Sequence, residues 1–184
     1  MSAGEQRVGL LGLGCNLPLP GRCGGRRAQL QAAVDALPTV GVTVLSSSST
    51  YDTDPVGEVI DQPAFLNACV RINTALQPLA LLDAVKRLEQ ELGRGESLLR
   101  HGPRAIDVDI LLLGELELAH ERMTLPHEQL LARRFVLIPA LELDFELRAP
   151  AGARGNVRLA DALAALPLDE GVRWAGPPLE LPVA

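Results

Sequence analysis

Between Arg104 and Gly114 the chain reads Arg-Ala-Ile-Asp-Val-Asp-Ile-Leu-Leu-Leu-Gly, and this run constrains the fold more than any other stretch. Ile106, Val108, Ile110 and Leu112 alternate, so in a β-strand they present one face to a core. Asp107 and Asp109 then share the opposite face, with about 6.6 Å between successive same-face positions. That spacing lets two carboxylates converge on a small metal cluster. Arg104, just ahead of the strand, offers a planar guanidinium suited to phosphate oxygens. Carboxylates beside an arginine are the parts needed for metal-assisted chemistry on a phosphate ester or anhydride. Taken alone, Asp-Val-Asp is equally a solvated strand face, so the rest of the chain has to decide.

A strand of this kind needs neighbours. Residues 8–13 predict a buried strand closed by a turn at Gly14, Cys15 and Asn16, and a Pro/Gly-rich loop follows over residues 18–25. Leu30, Val34 and Leu37 recur at helical spacing ahead of Pro38. Residues 42–51 predict a second strand, and residues 52–63 a loop. In residues 65–74 a third strand turns Leu66, Ala68, Val70 and Ile72 inward and Phe65, Asn67, Cys69 and Arg71 to the other side. Pro78 suits the first turn of a second helix, Leu81, Val85, Leu88 and Leu92 form its apolar stripe, and Gly93 caps it. A mobile connection over residues 94–101 leads into the aspartate strand. The order β-α-β-β-α-β predicts an α+β sandwich of the ferredoxin-like type. Beyond Gly114, residues 115–118 predict a short hairpin, residues 135–143 an edge strand or helix, and residues 159–166 a weak helix.

At 184 residues the chain suits one domain over 1–184, with neither a repeat nor a second domain in the pattern. Only 3% of residues are aromatic, so aliphatic side chains must fill the core. A net charge of −6 argues against a general nucleic-acid or anionic-membrane surface. An anionic substrate would need local arginines or carboxylate-held metals. Three cysteines, Cys15, Cys23 and Cys69, show neither a paired framework nor zinc spacing, which fits a reducing cytoplasm. The apolar run ending at Cys15 is short for a signal core, and Glu5 offsets Arg7, so a buried strand is expected there. No uncharged run approaches the ~20 residues of a membrane span.

Several further motifs, in one order, resemble the 6-hydroxymethyl-7,8-dihydropterin pyrophosphokinases of folate biosynthesis. The most specific are Gly102 to Gly114, and Leu125-Pro126-His127 followed by Arg133-Arg134-Phe135-Val136-Leu137. Leu13 to Leu17, Tyr51 to Gly57, Asp61 to Ala68, Leu88-Glu89 and Gly93-Arg94 support them. The resemblance covers residues 8–143 and leaves 144–184 as a C-terminal extension. It implies transfer of a pyrophosphoryl group from ATP to the pterin's hydroxymethyl oxygen, by attack at the β-phosphorus with AMP leaving. It implies that Asp107 and Asp109 hold two Mg2+ ions, a cation that accepts carboxylates while keeping sites for phosphate and water. Arg94 and Arg104 would bind phosphate and stabilise charge in the transition state, and Arg122, His127 and Arg133 would contact ATP. Phe65 and Phe135 would sandwich the pterin beside Asn67, while backbone groups near Thr53 and Val56 read its polar edge. Glu89 and His101 match positions near the site. ATP and the pterin are the partners implied, acting on a monomer.

The chain departs from the family at several points. Cys15 stands for a usual Ser, Phe65 for a frequent Tyr, His101 for a Trp and Glu128 for an aromatic. Residues 95–99 lack the basic residues of many relatives and leave Arg100 alone, which predicts less help from this loop in closure and product release. A phosphohydrolase built on the same carboxylates would leave Phe65 and Asn67 unexplained. A ferredoxin-like RNA-binding module fits poorly with the acidic balance and the lack of a sheet-borne aromatic cluster, whereas a nucleotide-binding relative with an altered lid is compatible with His101 and Glu96.

Overall fold

The computed structural model describes residues 5–17, 24–55, 62–93, 104–168 and 171–182. In chain order its strands are β1 (Arg7–Cys15), β2 (Val42–Ser47), β3 (Thr50–Thr53), β4 (Phe65–Thr74), β5 (Asp107–Leu113), β6 (Leu118–His120), β7 (Met123–Leu125), β8 (Arg148–Pro150), β9 (Asn156–Arg158) and β10 (Val172–Gly176). The helices are α1 (Gly25–Ala36), α2 (Pro78–Glu91), α3 (Arg134–Leu143) and α4 (Leu159–Ala165).

Among the described residues six strands form one antiparallel sheet in the order β10-β3-β4-β1-β5, with β2 lying beside β4 in line with β3. This is the ferredoxin-like order, with the strand predicted over residues 42–51 broken in two at Ser48 and Ser49. The break is stitched by side chains, since Ser48 Oγ accepts from the Cys69 N–H at 2.9 Å and donates to the Ser49 carbonyl at 2.7 Å.

One face of the sheet carries α1 and α2. Leu30, Ala33 and Val34 of α1 and Leu81, Val85 and Leu88 of α2 pack on Leu11, Leu13, Val70, Ile72, Ile106 and Val108. Pro78 opens α2 and Gly93, at φ +89°, closes it with a hydrogen bond from its N–H to the Gln90 carbonyl, as the sequence predicts.

The other face is also covered, so the sandwich has three layers. Leu137 and Ala140 of α3 and Leu159 of α4 bury Leu10, Cys69, Leu111 and Leu112. Residues 135–143 are therefore helical, the hairpin after Gly114 lies further along as β6 and β7, and residues 172–176 add a strand to the main sheet.

One strand departs from simple alternation. Leu11 faces Ile110 while Leu10 faces Leu112, leaving Leu111 as an extra residue in β5. Leu112 consequently joins the α3 side, not the face of Ile106, Val108 and Ile110, and Leu113 returns to the first core.

Candidate active site

The strands β4, β1 and β5 carry two rows of residues across the α3 face. Asn67, Gly14 and Asp107 pair side by side, and Cys69, Gly12 and Asp109 form the next row. Glycine at both central positions removes the side chains that would stand between the asparagine and the aspartates. The result is a cavity of about 300 Å³ with Gly12 and Gly14 in its floor. Alternate glycines inside a buried strand are a sign of close approach, and this one was readable at positions 12 and 14 beside the aspartate pair.

Thr53, Phe65, Asn67, Arg104, Asp107, Asp109, His127, Arg133 and Phe135 all line this cavity, so nine positions singled out in the sequence come together. Arg122 lines an adjoining cavity of about 380 Å³ with Lys86 and Thr124, and its guanidinium also pairs with Asp83. Asp109, His127 and Glu128 line both spaces. Glu89 lies behind the carboxylates and not in the cavity wall: its Oε1 accepts from the Val108 N–H at 2.7 Å and from Lys86 Nζ at 2.7 Å. Val56, Arg94 and His101 fall outside the described residues, as does the loop over residues 95–101.

The aspartates sit in a charged frame. Arg104 Nη1 pairs with Asp107 Oδ2, and Lys86 Nζ lies 3.9 Å from Asp107 Oδ1. Burial raises the Asp109 carboxyl above the ordinary carboxylate range, and the Asp107 charge adds to the rise. Lys86, His127 and Arg104 pull against it. Burial likewise raises Glu89, with Lys86 opposing. Two carboxylates crowded on one buried face, one of them resisting ionisation, form a donor set that a divalent cation relieves. Among the described residues no group of three or more His, Cys, Asp or Glu forms a cage. Two oxygen donors leave coordination positions for phosphate and water, the habit of Mg2+.

Local structure holds each group in place. Asn16, almost fully buried, accepts from the Arg104 N–H at 2.8 Å and donates to Gln62 Oε1 and the Pro63 carbonyl, tying the end of β1 to both flanking segments. Asn67 Nδ2 donates to Thr53 Oγ1 at 2.7 Å, which fixes the asparagine's carbonyl toward Gly14. His127 donates its N–H to the Leu111 carbonyl, and its Nδ1 accepts from the Gln129 N–H at 3.2 Å. With Nδ1 accepting, Nε2 is the ring nitrogen left to donate. Lys86 and Asn16 were not singled out as site residues because neither shows its role until helix and strand ends meet.

Comparison with known proteins follows the same outline. The family model described as 7,8-dihydro-6-hydroxymethylpterin-pyrophosphokinase matches residues 10–145. The chain belongs to this family. It is 42% identical over 172 residues to the 2-amino-4-hydroxy-6-hydroxymethyldihydropteridine pyrophosphokinase of Pseudomonas aeruginosa, covering 93% of this chain and 98% of that protein. To the Bacillus subtilis pyrophosphokinase it is 40% identical, covering 74% of this chain and 77% of that one. A folate synthesis bifunctional protein of Arabidopsis thaliana is 39% identical over 69% of this chain, but the match spans only 26% of the plant protein. In fold, the chain aligns with wild-type Plasmodium falciparum HPPK-DHPS in complex with pteroate at a TM-score of 0.67 and 13% identity, over 89% of this chain and 43% of that one.

Proposed function

We propose that the family's pyrophosphoryl transfer takes place here on the α3 face, with ATP and 6-hydroxymethyl-7,8-dihydropterin meeting over Gly12 and Gly14. The observation that carries this reading is the row Asn67, Gly14, Asp107, which sets a hydrogen-bonding amide and a carboxylate in one cavity with only a glycine between. Phe65 and Phe135 line the asparagine side and offer an aromatic slot for a flat heterocycle, with Asn67 and Thr53 at its polar edge. Arg104, His127 and Arg133 line the same cavity and would bind the triphosphate, with Arg122 in the adjoining space.

Asp107 and Asp109 would hold two Mg2+ ions, which when bound would neutralise phosphate charge and help to activate the attacking hydroxyl. The residues then divide the work. The aromatic slot orients the hydroxymethyl group toward the carboxylate end of the cavity, so the reaction becomes effectively intramolecular. Arg104 and the Nε2–H of His127 donate to oxygens whose charge grows as AMP departs. Glu89 and Lys86 fix the backbone of Val108 between the aspartates, since Val108 donates to Glu89 and accepts from Lys86 at 3.3 Å. Arg94, at the match to a phosphate-binding family position, completes the expected set.

The proposed working unit is a monomer. No helix among the described residues is long and apolar enough to cross a membrane. A reducing cytoplasm suits the thiols. Burial pushes Cys15 up to about 12, eased by Arg26, and raises Cys69 further, reinforced by Glu142.

The test measures nucleotide products from MgATP with and without the pterin. Pterin-dependent AMP formation is expected, falling at least about a hundredfold in Asp107→Ala as several kcal/mol of charge stabilisation is lost. ADP or phosphate released without the pterin would instead identify a hydrolase.

A further inference from the structure

The far edge of the sheet carries a feature that the transfer chemistry does not use. β10 pairs with β3, setting Val172 opposite Thr53 and Arg173 opposite Asp52. Arg173 reaches past this ladder to Asp54, with Nη2 to Oδ1 at 2.7 Å and Nη1 to Oδ2 at 3.2 Å. Asp54 lines the same cavity as Thr53 and Phe65. The hydrogen bonds from Arg173 hold the Asp54 carboxyl below its usual range. Gly171 lies flat on the pair: a Cβ there would stand 2.2 Å from Asp54 Oδ2 and 2.7 Å from Arg173 Nη1.

Arg173 projects from an anchored strap. Beyond β10, Leu179 is 3% exposed in the first core. Arg27 of α1 donates to the Pro177 carbonyl at 2.7 Å and the Pro178 carbonyl at 2.8 Å. Gln31 and Glu180 exchange two further hydrogen bonds of 2.8 and 2.9 Å. The cavity wall at Thr53 and Asp54 is thus fastened through residues 172–182 to α1, on the opposite side of the sheet from α3.

We infer that Arg173 is a positioning residue for the heterocycle end of the cavity, fixing Asp54 and with it the Thr53 end of β3 against Asn67. The inference rests on the assignment of that end to the pterin. A two-pronged guanidinium suits this task because it fixes the plane of the carboxylate as well as its distance. Among the described residues the strap meets the cavity wall at Thr53 and Asp54, so its influence is expected on the substrate at that end.

The test is steady-state kinetics on Arg173→Met, Arg173→Lys and Asp54→Asn in the full chain, with Asn67→Ala as a control. Arg173→Met is expected to raise KM for the pterin by roughly threefold to tenfold, the modest effect of an exposed pair, with kcat and KM for ATP within about twofold. Arg173→Lys should recover part of the loss, and Arg173→Met combined with Asp54→Asn should be no worse than either alone. Because the pair is exposed, raising salt from about 0.05 M to about 1 M should narrow the gap between wild type and Arg173→Met. If Asn67→Ala raises the pterin KM and Arg173→Met does not, the strap has no positioning role and the pterin assignment stands. If neither moves it, both readings fail. A joint fall in kcat and rise in both KM values, with a lowered Tm, would make Arg173 a general structural residue and overturn the inference.

Discussion

At Gly14 the heterocycle end of the cavity meets the carboxylate end, and a single methyl group separates the two possibilities for substitution. A Cβ at Gly14 would lie 2.8 Å from Asn67 Oδ1, whereas at Gly12 the nearest atom is the flexible Leu111 Cδ1 at 3.3 Å. Gly14→Ala must therefore displace Asn67 and strain its bond to Thr53. We expect a pterin KM raised about tenfold with little change for ATP, the size of one lost buried hydrogen bond, while Gly12→Ala, which leaves Asn67 in place, should raise the pterin KM less. Asp109 gives a second residue-level prediction. Its carboxyl is raised in the folded protein, so folding favours the protonated form: its stabilising share is full below the ordinary value of 3.8 and is lost as pH rises through the folded value. Asp109→Asn in metal-free protein should thus be more stable than wild type at pH 7, the difference closing toward pH 4. Urea denaturation with a chelator at both pH values checks the sign. The aspartates were readable because chemistry and period coincided in β5. The Arg173–Asp54 pair was not, since 119 residues separate the two and Arg173 lies outside every matched motif.

The third layer shows how tertiary packing settles what local pattern leaves open. Residues 135–141 read Phe-Val-Leu-Ile-Pro-Ala-Leu, a continuous apolar run that suits a buried strand or a buried helix. Pro139 argues against a helix interior, yet it lies inside α3. What decides is that Leu137 and Ala140 bury completely against the sheet face holding Leu10 and Leu112. Leu137→Ala should cost about 2–5 kcal/mol in denaturant unfolding, as for other fully buried leucines. An unchanged midpoint would show that α3 contributes no core. By contrast, α2 was readable almost residue by residue, because Pro78, an apolar stripe and Gly93 all agree. The bulge at Leu111 was hidden for the opposite reason. Three consecutive leucines satisfy either face, so nothing in Leu111-Leu112-Leu113 marks where the alternation slips.

The molecule as a whole carries −6, yet its cavity is framed by Arg104, His127 and Arg133 together with two aspartates. A triphosphate approaching this chain is repelled at long range and is held only by the Arg104 and Arg133 guanidinium groups, the His127 ring N–H and whatever ion the aspartates bind. Nucleotide binding should therefore depend on the divalent ion far more strongly than on the arginines' net charge. MgATP at about one hundred times its Kd should stabilise the fold by about 2.7 kcal/mol. For a chain of this size each kcal/mol shifts Tm by about 2–4 °C, so thermal unfolding should rise by roughly 5–10 °C. Chelation should remove most of that rise in the wild type. In Asp107→Asn combined with Asp109→Asn, MgATP and metal-free ATP should give the same small shift, because the ion has lost its protein donors while Arg104, His127 and Arg133 remain. A full shift in that double variant would place the metal on the nucleotide alone, and the two aspartates would then have no claim to hold it.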